Sequence, residues 1–417
     1  MKILVVCQHY WPEPYPLQDL CEEFVRRGHT IHVVTGVPNY PMGVIYPEYR
    51  KGKNREQLLN GVKVTRVFTI GRRHDVLFRF LNYYSYAISS SLYAKKTREE
   101  YDVVFVNQTS PVMMASAAMA YAKKWGKYVV LYCMDLWPAS LAAGGVNEKS
   151  PIYKLFGRVS GKLYRQASRI LITSQMFKEY LKNEFRIDDD KIAYIPQYAA
   201  PCFSENGSKA DKDTVDLVFA GNIGAAQSIP TILRAAEILK DERNLYWHII
   251  GEGSELENVK ILANHMALHN VKIHGRKPLE EMPAYYAMAD AMLVTLTVDR
   301  FISLTLPGKV QTYMAAGKPI IAAANGEIPN IIRASQCGYC ASAEDAHGLA
   351  DAVRSFLVCA NKVELGQNAK AYYQAHFTRE SFMDKLETEL MNQTVYREDN
   401  ADKPRLRYWQ HRIDLSN

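Results

Sequence analysis

One lysine in the second half of the chain has neighbours that could build an anion-binding site. Lys309 follows Pro307 and Gly308 in the stretch TLPGKVQTYMAAGK. Proline suits a first helical turn because it needs no N–H partner there, and glycine lets the backbone approach a ligand. With Thr305 as the cap, the stretch predicts a helix over 309–316 whose backbone N–H groups and dipole attract a phosphate. The phosphate loop GxxxxGK[ST] is absent from the sequence.

Three further predicted strand ends in the second half carry glycine or positive charge. The turns GNIG, GEG and GRK each follow an apolar run, and any one of them is equally compatible with a purely structural turn. Carboxyl ends of parallel strands meet at one edge of a sheet, so the four ends together predict a nucleotide-diphosphate site. Lys309 and Arg300 are the predicted catalytic cations. The predicted donor-binding residues are Gly221, Asn222, Gly224, Gly251, Gly253, Arg276, Lys277, Leu306, Pro307, Gly308 and Lys309.

A carboxylate in the first half could orient a sugar hydroxyl or take a proton. Asp135 follows the apolar run Tyr128–Cys133, so we expect it at the carboxyl end of a strand, as a third catalytic candidate. The alternative is that it caps the next helix. Asp135, Trp137, His9 and Glu13 are the candidates for acceptor binding. Histidines and acids never recur at metal-ligand spacing, so we expect neither a metal ion nor a resident cofactor.

These residues require parallel sheets to position them, and the hydrophobic pattern predicts two. Short apolar runs alternate with amphipathic segments, as in right-handed βαβ units. The predicted strands are 2–7, 30–35, 64–70, 103–107, 128–133, 170–173, 192–195, 215–220, 245–250, 271–274, 291–296 and 319–323. The predicted helices include 17–27, 76–96, 111–124, 152–166, 175–184, 309–316, 363–376 and 379–391. We therefore expect an α/β protein with two Rossmann-like, doubly wound parallel-sheet domains that face a cleft.

The turn after the first predicted strand disfavours a nicotinamide dehydrogenase. Residues 8–16, QHYWPEPYP, are bulky and rich in proline, so a dinucleotide pyrophosphate cannot lie against them. Leu256 also stands where a dinucleotide fingerprint would place its third glycine after GEG. Neither half of the chain therefore carries the glycine pattern of a dinucleotide site.

The length of 417 residues favours two domains. Proline, serine and glycine interrupt Pro196–Asp213, where GSKADKD is the most linker-like part. We therefore predict an N-terminal acceptor domain over 1–198 and a C-terminal donor domain over 199–377. The remaining helix and tail, 378–417, could reach back to the N-terminal domain.

The composition is that of a globular protein that is not exported. Hydrophobic residues make up 48% of the chain and charged residues 23%, and no stretch approaches 18 uncharged apolar residues. Residues 1–7 predict a strand and lack the cleavage site of a signal peptide. Seven scattered cysteines indicate reduced thiols and a cytoplasmic protein. The CxxC pair Cys337 and Cys340 is interpreted as structural, because no second pair accompanies it.

Positive charge is concentrated in the first half. Residues 1–191 hold 28 Lys and Arg against 17 Asp and Glu, whereas the rest holds 23 against 27. From Arg50 to Arg98, twelve basic residues meet only two acidic ones and are interleaved with Phe and Tyr. Such a segment favours peripheral contact with an anionic membrane. A solvated face over a core helix remains an equal alternative, and nucleic acid is disfavoured because no binding motif accompanies the charge.

Several stretches, taken in order, resemble the family 4 glycosyltransferases of the GT-B architecture. They are MKILVV, LCEEFVRRGHTIHVVTGVPNYPMG, MDLWPASLAAGG, FAGNIGAAQSIPTILRAAEIL, IIGEGSELENVK, HGRKPLEEMPAYYAMADAMLV and LPGKVQTYMAAGKPIIAAANGEIPNII. The similarity is greatest to the bacterial O-antigen, capsule and exopolysaccharide branch, which includes fucosamine transferases. The resemblance implies a retaining transfer from a nucleotide-sugar without a metal ion. In such a transfer the donor phosphate helps to deprotonate the acceptor hydroxyl on the same face.

The chain departs from the wider family at four positions of the donor site. The family carries Glu-x7-Glu before a Met-Ala-x-Gly turn, but these positions are Leu304 and Thr312 here. The family's phosphate-site Arg and Lys align with Asn222 and Gln227. The most similar branch shares this LP-G/S-K form. The resemblance therefore implies an altered donor site in which Lys309, together with Arg300, would supply charge and Gln227 and Thr312 join the donor-binding residues.

The expected activity is that of a hexosyl- or acetamidohexosyl-transferase. It would move a sugar, such as an N-acetylated or deoxy-amino sugar, from a UDP-linked donor to a lipid-diphosphate-linked glycan during surface polysaccharide synthesis. The protein would act peripherally on the inner face of the plasma membrane. Two alternatives stay open: a sugar-nucleotide epimerase of the same architecture, and a non-catalytic membrane scaffold, which the missing glutamates favour.

Overall fold

The computed structural model describes residues 1–73, 75–203 and 213–395. The strands are β1 (Lys2–Val6), β2 (Thr30–Thr35), β3 (Glu56–Leu59), β4 (Val62–Arg66), β5 (Val103–Gln108), β6 (Tyr128–Cys133), β7 (Arg169–Ile172), β8 (Ile192–Tyr194), β9 (Val215–Ala220), β10 (Leu245–Ile250), β11 (Val271–Gly275), β12 (Ala291–Thr295), β13 (Ile320–Ala323) and β14 (Gly338–Ala341). The helices are α1 (Leu17–Arg26), α2 (Val76–Lys96), α3 (Ser116–Trp125), α4 (Ala139–Ala143), α5 (Pro151–Gln166), α6 (Met176–Phe185), α7 (Ile229–Ile238), α8 (Leu256–His265), α9 (Met282–Met288), α10 (Gly308–Ala315), α11 (Glu327–Ser335), α12 (Ala346–Val358), α13 (Lys362–His376) and α14 (Arg379–Val395).

The first eight strands form one sheet in the order β3-β4-β2-β1-β5-β6-β7-β8. Strand β1 pairs in parallel with β2 and β5, as β2 does with β4 and β5 with β6. The edge pair is different: β3 runs antiparallel to β4 through the two-residue turn Asn60-Gly61, whose φ angles of 47° and 83° suit a tight hairpin. The predicted strand 64–70 was therefore placed too late, and the short edge strand β3 was missed.

The last six strands form a parallel sheet in the order β11-β10-β9-β12-β13-β14. Alternate residues of a strand point to opposite faces, so Leu217 and Phe219 of β9 enter one core while Val218 and Ala220 enter another. Helices α7, α8 and α12 contribute to the first core, and α10, α11 and α13 to the second. Strands buried on both faces explain the nearly continuous apolar runs in the sequence.

Edge strand β14 was also missed, because its sequence GYCA lacks the apolar run of the inner strands. It contains Cys340, and Cys337 lies just before it. Burial raises the pKa of both thiols to about 11, so both are protonated near neutral pH. A redox dithiol needs a reactive thiolate. The structural interpretation of the CxxC pair is thus the better supported one.

The predicted helices mostly have the expected bounds. Helix α2 matches its prediction at both ends. The helix predicted at 111–124 instead begins as a 3-10 turn over Val112–Ala115, and α3 follows it. Among the described residues, no helix combines the length and the apolar character that a membrane crossing requires.

Contacts divide the chain into two compact units. The first contains residues 1–133, 162–170 and the described residues from Lys385 onward, and the second contains 134–161 and 171–384. Within the first unit, α14 is held by ion pairs, one from Arg27 to Glu387 (2.7 Å) and one from Arg169 to Glu389 (2.7 Å). Half of the predicted linker Pro196–Asp213, residues 204–212, lies outside the described residues.

Candidate active site

The turns that follow β9 and β10 are bonded to each other beyond the ends of the strands. The Gly221 N–H donates to the Ile250 carbonyl (3.0 Å), and the Ile223 N–H donates to the Glu252 carbonyl (2.8 Å). These bonds continue the parallel pairing of the two strands into their loops. The two predicted glycine turns therefore form one continuous edge of the second sheet.

Glycine is required where the two turns touch. A Cβ on Gly251 would lie 1.8 Å from the Gly221 carbonyl oxygen, which no side chain could tolerate. A Cβ on Gly221 would lie 3.1 Å from the Nζ of Lys309. Both glycines have φ of 148°, a backbone conformation that residues with a Cβ rarely adopt. Close packing of the two turns thus explains the glycines of the GNIG and GEG motifs. The missing side chain of Gly221 also leaves room for Lys309.

Helix α10 places Lys309 over the end of β9. Tyr313 lies one turn further along the helix, so the two side chains share a face. The buried Tyr313 hydroxyl donates to the Ala220 carbonyl (2.8 Å) and accepts from the Ala220 N–H (3.0 Å). This pair of bonds fixes the helix against the strand. The Lys309 Nζ consequently lies 4.0 Å from the centre of the Phe219 ring.

Lys309 is a cation without a carboxylate partner. Its Nζ donates a short hydrogen bond to the side-chain oxygen of Gln227. Across the described parts of the chain, no acidic side chain lies within ion-pair distance of it. The Phe219 ring and the amide oxygen favour the ammonium form, but burial outweighs them and lowers the pKa of Lys309 to about 7. A bound anion would favour the charged form and so oppose this shift.

Gln227 is itself held in place by the strand beside it. Its carbonyl accepts from the Thr295 hydroxyl at the end of β12 (2.5 Å), and the neighbouring Ala226 carbonyl accepts from the Thr297 N–H (3.1 Å). The ends of β9 and β12 therefore hold one lysine, through Gly221 and through the Gln227 loop, and Gly251 after β10 packs against Gly221. The structure brings these predicted residues together.

No side chain caps the amino-terminal end of α10. Pro307 occupies the cap position, and the prediction that Thr305 caps the helix was wrong. The exposed Gly308 begins the helix, while the buried Leu306 anchors the preceding loop in the core. The Val310 N–H donates to the Pro307 carbonyl (3.0 Å), so the N–H groups of Gly308 and Lys309 are the first-turn donors that stay available to an external acceptor. Thr312, at the position where the wider family has glutamate, donates to the Gly308 carbonyl (3.0 Å).

Asn222 completes the polar rim of this edge. It is exposed, and its side-chain oxygen lies 2.8 Å from where a Cβ on Gly253 would be. Its side-chain nitrogen lies 2.7 Å from the corresponding position on Gly224. The amide therefore covers the small residues of both turns and presents a donor and an acceptor to solvent.

The three arginines and lysines predicted beside Lys309 are neutralised elsewhere. Arg276 bonds the Glu252 carboxylate (2.6 Å), and 70% of its side chain is exposed. Lys277 lies 3.9 Å from a Glu281 carboxylate oxygen. Arg300 pairs with Glu148 and stacks over the Phe301 ring at 4.4 Å. The catalytic role predicted for Arg300 therefore has no geometric support in this arrangement.

The predicted acceptor residues of the MDLWP segment differ in exposure. Asp135 is half-buried and accepts a short hydrogen bond from the Ser140 hydroxyl in α4, whose cap position is Pro138. Trp137 is only 2% exposed and packs edge-on against Phe156 with ring centres 5.5 Å apart. The structure therefore assigns a packing role to Trp137 and leaves Asp135 as the candidate with an accessible carboxylate.

His9 and Glu13, in the first unit, form a buried pair. The His9 Nδ1 lies 2.9 Å from one Glu13 oxygen. The other oxygen accepts from the N–H groups of Asn39 and Tyr40 at 2.8 and 2.7 Å. The ring of His9 stacks on Tyr15 with centres 5.0 Å apart. Glu13 thus fixes the loop after β2, which is a structural role that the sequence did not predict.

Two residues of the second unit were missed, one of which contacts Lys309. Phe219 reads as an ordinary strand residue, and nothing in its sequence neighbourhood indicates a cation over its ring. Glu327, at the start of α11, is buried and accepts from the N–H of Gln175 (3.2 Å). Burial raises the pKa of Glu327. The glutamate follows Gly326 at a strand-to-helix turn, and that position was the available signal.

Within the described residues, no three His, Cys, Asp or Glu side chains are grouped so that they could hold a metal ion. The expectation of transfer without a metal therefore stays a prediction. The site offers one cation, a polar amide rim and uncapped backbone N–H groups. These are the elements that bind a phosphate.

Two families match consecutive parts of the chain. Residues 17–197 match the family described as Glycosyltransferase Family 4, and residues 203–372 match the family described as Glycosyl transferases group 1. Together the two matches cover most of the sequence. The lysine site lies wholly in the second match.

Two bacterial proteins are similar to this chain in sequence. WbjE of Pseudomonas aeruginosa, named as a glycosyltransferase, is 28% identical over 263 residues, which are 59% of this chain and 64% of that protein. WcaI of Escherichia coli strain K12, named as a colanic acid biosynthesis glycosyl transferase, is 23% identical over 338 residues, or 76% and 82%. The chain thus spans less than two thirds of the length of WbjE.

A solved structure shares the fold. HepE (Alr3699) of Anabaena, in complex with UDP, has a TM-score of 0.68 at 14% identity, over 94% of this chain and 100% of that one. Its complex with UDP-glucose gives a TM-score of 0.67 over the same shares. This likeness and the two parallel sheets confirm the predicted fold class.

Proposed function

We propose that this chain, which belongs to the glycosyltransferases that join a Glycosyltransferase Family 4 domain to a group 1 domain, transfers a sugar from a nucleotide-diphosphate sugar. The observation that carries the proposal is the position of Lys309. A lysine without an acidic partner lies between two glycine turns and the uncapped end of α10. A diphosphate would supply the missing negative charge and accept from the free N–H groups.

The lysine would act mainly on the leaving group. Transfer breaks the bond between the sugar C1 and the diphosphate oxygen, so negative charge grows on that oxygen in the transition state. An ammonium already fixed by Gln227 and Phe219 stabilises the charge without reorganising. Asn222 and the first-turn N–H groups of α10 would hold the remaining phosphate oxygens.

The proposed transfer retains the configuration at C1. The acceptor hydroxyl attacks from the side of the departing diphosphate, a new bond forms between C1 and the acceptor oxygen, and the hydroxyl proton passes to a diphosphate oxygen. Asp135 would orient a hydroxyl of the sugar or of the acceptor, because its carboxylate is half-buried and already ordered by Ser140. No step of this scheme needs a metal ion or another resident cofactor.

UDP is the proposed nucleotide and surface polysaccharide the proposed product. HepE binds UDP and UDP-glucose, and WcaI is named for colanic acid biosynthesis. We further propose a lipid-diphosphate-linked glycan as the acceptor, on the inner face of the plasma membrane, as the resemblance to the O-antigen and capsule branch implies. The transferred hexose would be an N-acetylated or deoxy-amino sugar of the fucosamine type.

A calorimetric panel of nucleotides and nucleotide-sugars tests the proposal. We expect UDP and at least one UDP-sugar to release heat on titration, and GDP to bind more weakly. The protein should then be incubated with the bound UDP-sugar and a lipid-linked glycan extract, with release of UDP and growth of the glycan by one sugar as the expected result. Binding of no nucleotide at all would overturn the donor site.

The same incubation separates the two alternatives. An epimerase would convert the UDP-sugar to an isomer when no acceptor is present. A scaffold would bind membranes but neither bind nor turn over a nucleotide-sugar, as the absence of the two family glutamates at Leu304 and Thr312 would suggest. In the structure, the Leu304 carbonyl accepts from the Ser174 hydroxyl, and the Thr312 hydroxyl donates to the Gly308 carbonyl in the first turn of α10.

A further inference from the structure

Helix α2 exposes a continuous apolar face to solvent. Five of its residues recur at spacings of three or four, which places them on one side of a helix. Their exposed fractions run from 39% to 64%. We call this face the apolar stripe, and its members are Leu77, Leu81, Tyr84, Ile88 and Leu92.

The opposite face of α2 is already anchored in the first unit. The buried Tyr86 hydroxyl donates to the Cys7 carbonyl after β1 (2.7 Å). The buried Asn82 amide donates to the Ile70 carbonyl (2.6 Å). These bonds fix the rotation of the helix about its axis. The apolar stripe therefore cannot turn inward, and an exposed apolar area of this length marks a binding surface.

Positive charge lies near both ends of the apolar stripe. Arg79 in the first turn of α2 and Lys95 and Lys96 in its last turn are exposed. The segment from Arg50 to Arg98 holds twelve basic residues against two acidic ones. Phe68 adds a further exposed ring, 59% accessible, and its carbonyl accepts from Ser89 of α2. An exposed apolar line with cations near both of its ends is the pattern of a helix that lies in the interface of a membrane.

We propose that the apolar stripe inserts into the headgroup and acyl boundary of an anionic lipid bilayer. The basic residues beside it would contact the lipid phosphates, while the leucine and isoleucine side chains enter the apolar layer. This inference rests on the proposed function, in which a lipid-linked acceptor lies in the same membrane.

The charge distribution disfavours a second copy of the chain as the occupant. A two-fold interface places the same surface of both copies together, so the basic residues around one stripe would meet those around the other. Like charges in contact oppose such a dimer. Anionic lipid meets the apolar and the basic parts of the surface at once.

Co-sedimentation with vesicles tests the insertion. Vesicles of phosphatidylcholine alone and with about one third phosphatidylglycerol should be compared. We expect the wild-type protein to sediment with the anionic vesicles only, and less as salt is raised. Ile88→Glu should lower the vesicle affinity by about tenfold or more, because a carboxylate would enter the apolar layer.

The matched control is Ile261→Glu in α8 of the second unit. Ile261 is also an exposed helical isoleucine, 66% accessible against 60% for Ile88. The vesicle affinity of Ile261→Glu should stay within about twofold of wild type, since Ile261 is the one large hydrophobic side chain exposed on α8 and belongs to no apolar stripe. Leu81→Glu should repeat the effect of Ile88→Glu, and circular dichroism should show all three variants folded.

Two results would overturn the insertion. One is an equal effect of Ile88→Glu and Ile261→Glu on vesicle binding. The other is a wild-type dimer in analytical ultracentrifugation that Ile88→Glu dissociates, because a second copy would then cover the apolar stripe. Failure of the proposed function looks different: UDP-glucose would not bind to the wild-type protein in the absence of vesicles, whereas vesicle binding would persist.

Discussion

The loop edges of the two parallel sheets differ in how their charged groups are satisfied. After β1 and β2, the Glu13 carboxylate contacts His9 and accepts from the N–H groups of Asn39 and Tyr40. After β9 and β10, the charged group is Lys309, whose hydrogen-bond acceptor among the described residues is the neutral amide of Gln227. Similar strand-to-loop geometry thus produces a closed polar cluster in one unit and an uncompensated cation in the other.

The difference shows where a ligand is needed. A buried charge is stable when hydrogen bonds surround it, as they do for Glu13. Lys309 has no carboxylate within ion-pair distance among the described residues, and burial lowers its pKa to about 7. The Glu13 cluster is therefore completed by backbone N–H groups of the protein, whereas the Lys309 site would be completed by an external anion.

Lys309→Ala should abolish most of the activity. Removal of one preorganised donor to a developing negative charge costs about 2.7–4 kcal/mol of transition-state stabilisation, or about 10²- to 10³-fold in turnover. The measurement is the rate of UDP release with donor and acceptor saturating. Lys260→Ala is the control, because Lys260 is an exposed lysine of the same unit that pairs with Glu257 (2.7 Å). A loss of only a few-fold for Lys309→Ala would remove the lysine from the mechanism.

Glu13→Ala should destabilise the first unit without a direct effect on donor binding. It leaves two buried N–H groups and His9 without their acceptor, and each unsatisfied group costs about 1–3 kcal/mol, so we expect a loss of about 3 kcal/mol in unfolding free energy. Urea unfolding followed by circular dichroism measures it. Glu13→Gln keeps one acceptor oxygen and should lose less. An unfolding free energy of Glu13→Ala equal to that of wild type would show that the hydrogen bonds of Glu13 do not stabilise the first unit.

Much of the fold could be predicted from the sequence because parallel strands buried on both faces form unbroken apolar runs. Helix α2 and strands β2, β6, β9 and β10 have the predicted bounds. The edge strands β3 and β14 were missed because an edge strand is short and only partly buried, so it lacks that run. Local pattern thus identifies interior elements more reliably than edges.

The site could be predicted only in part. Glycine turns and a lysine at a helix start identify a phosphate site from local sequence, and the structure brings Gly221, Gly251 and Lys309 together. The ring of Phe219 under the lysine depends on how α10 packs on β9, far away in sequence. The burial of Trp137 likewise depends on Phe156. Tertiary packing of this kind leaves no local pattern.

Donor affinity should fall as the pH rises above 7. The free lysine has a pKa of about 7, so it is charged below that pH and neutral above it. A bound diphosphate raises the pKa, and binding at higher pH therefore requires uptake of a proton. The dissociation constant of UDP-glucose should be constant below neutrality and increase by up to about tenfold per pH unit above it. UDP-glucose suits the measurement because its diphosphate does not titrate near pH 7.

The control for that pH profile is Lys309→Ala, which should bind weakly at every pH and show no slope. Isothermal titration in two buffers of different ionisation enthalpy would count the proton taken up. A wild-type profile without slope between pH 7 and 9 would mean that Lys309 is charged in the free protein, and the contrast with Glu13 would lose its electrostatic basis.

Arg276→Ala should have the smallest effect, although Arg276 lies at the end of the neighbouring strand. Its guanidinium is exposed and already paired with Glu252, and exposed ion pairs contribute about 0–1 kcal/mol. We therefore expect donor affinity within about threefold of wild type at physiological salt. A loss comparable to that of Lys309→Ala would mean that Arg276 leaves Glu252 when the donor binds. In that case both Arg276 and Lys309 would contact the diphosphate. A cation that pairs with a carboxylate in the free protein could then bind the donor as well as one that has no such partner.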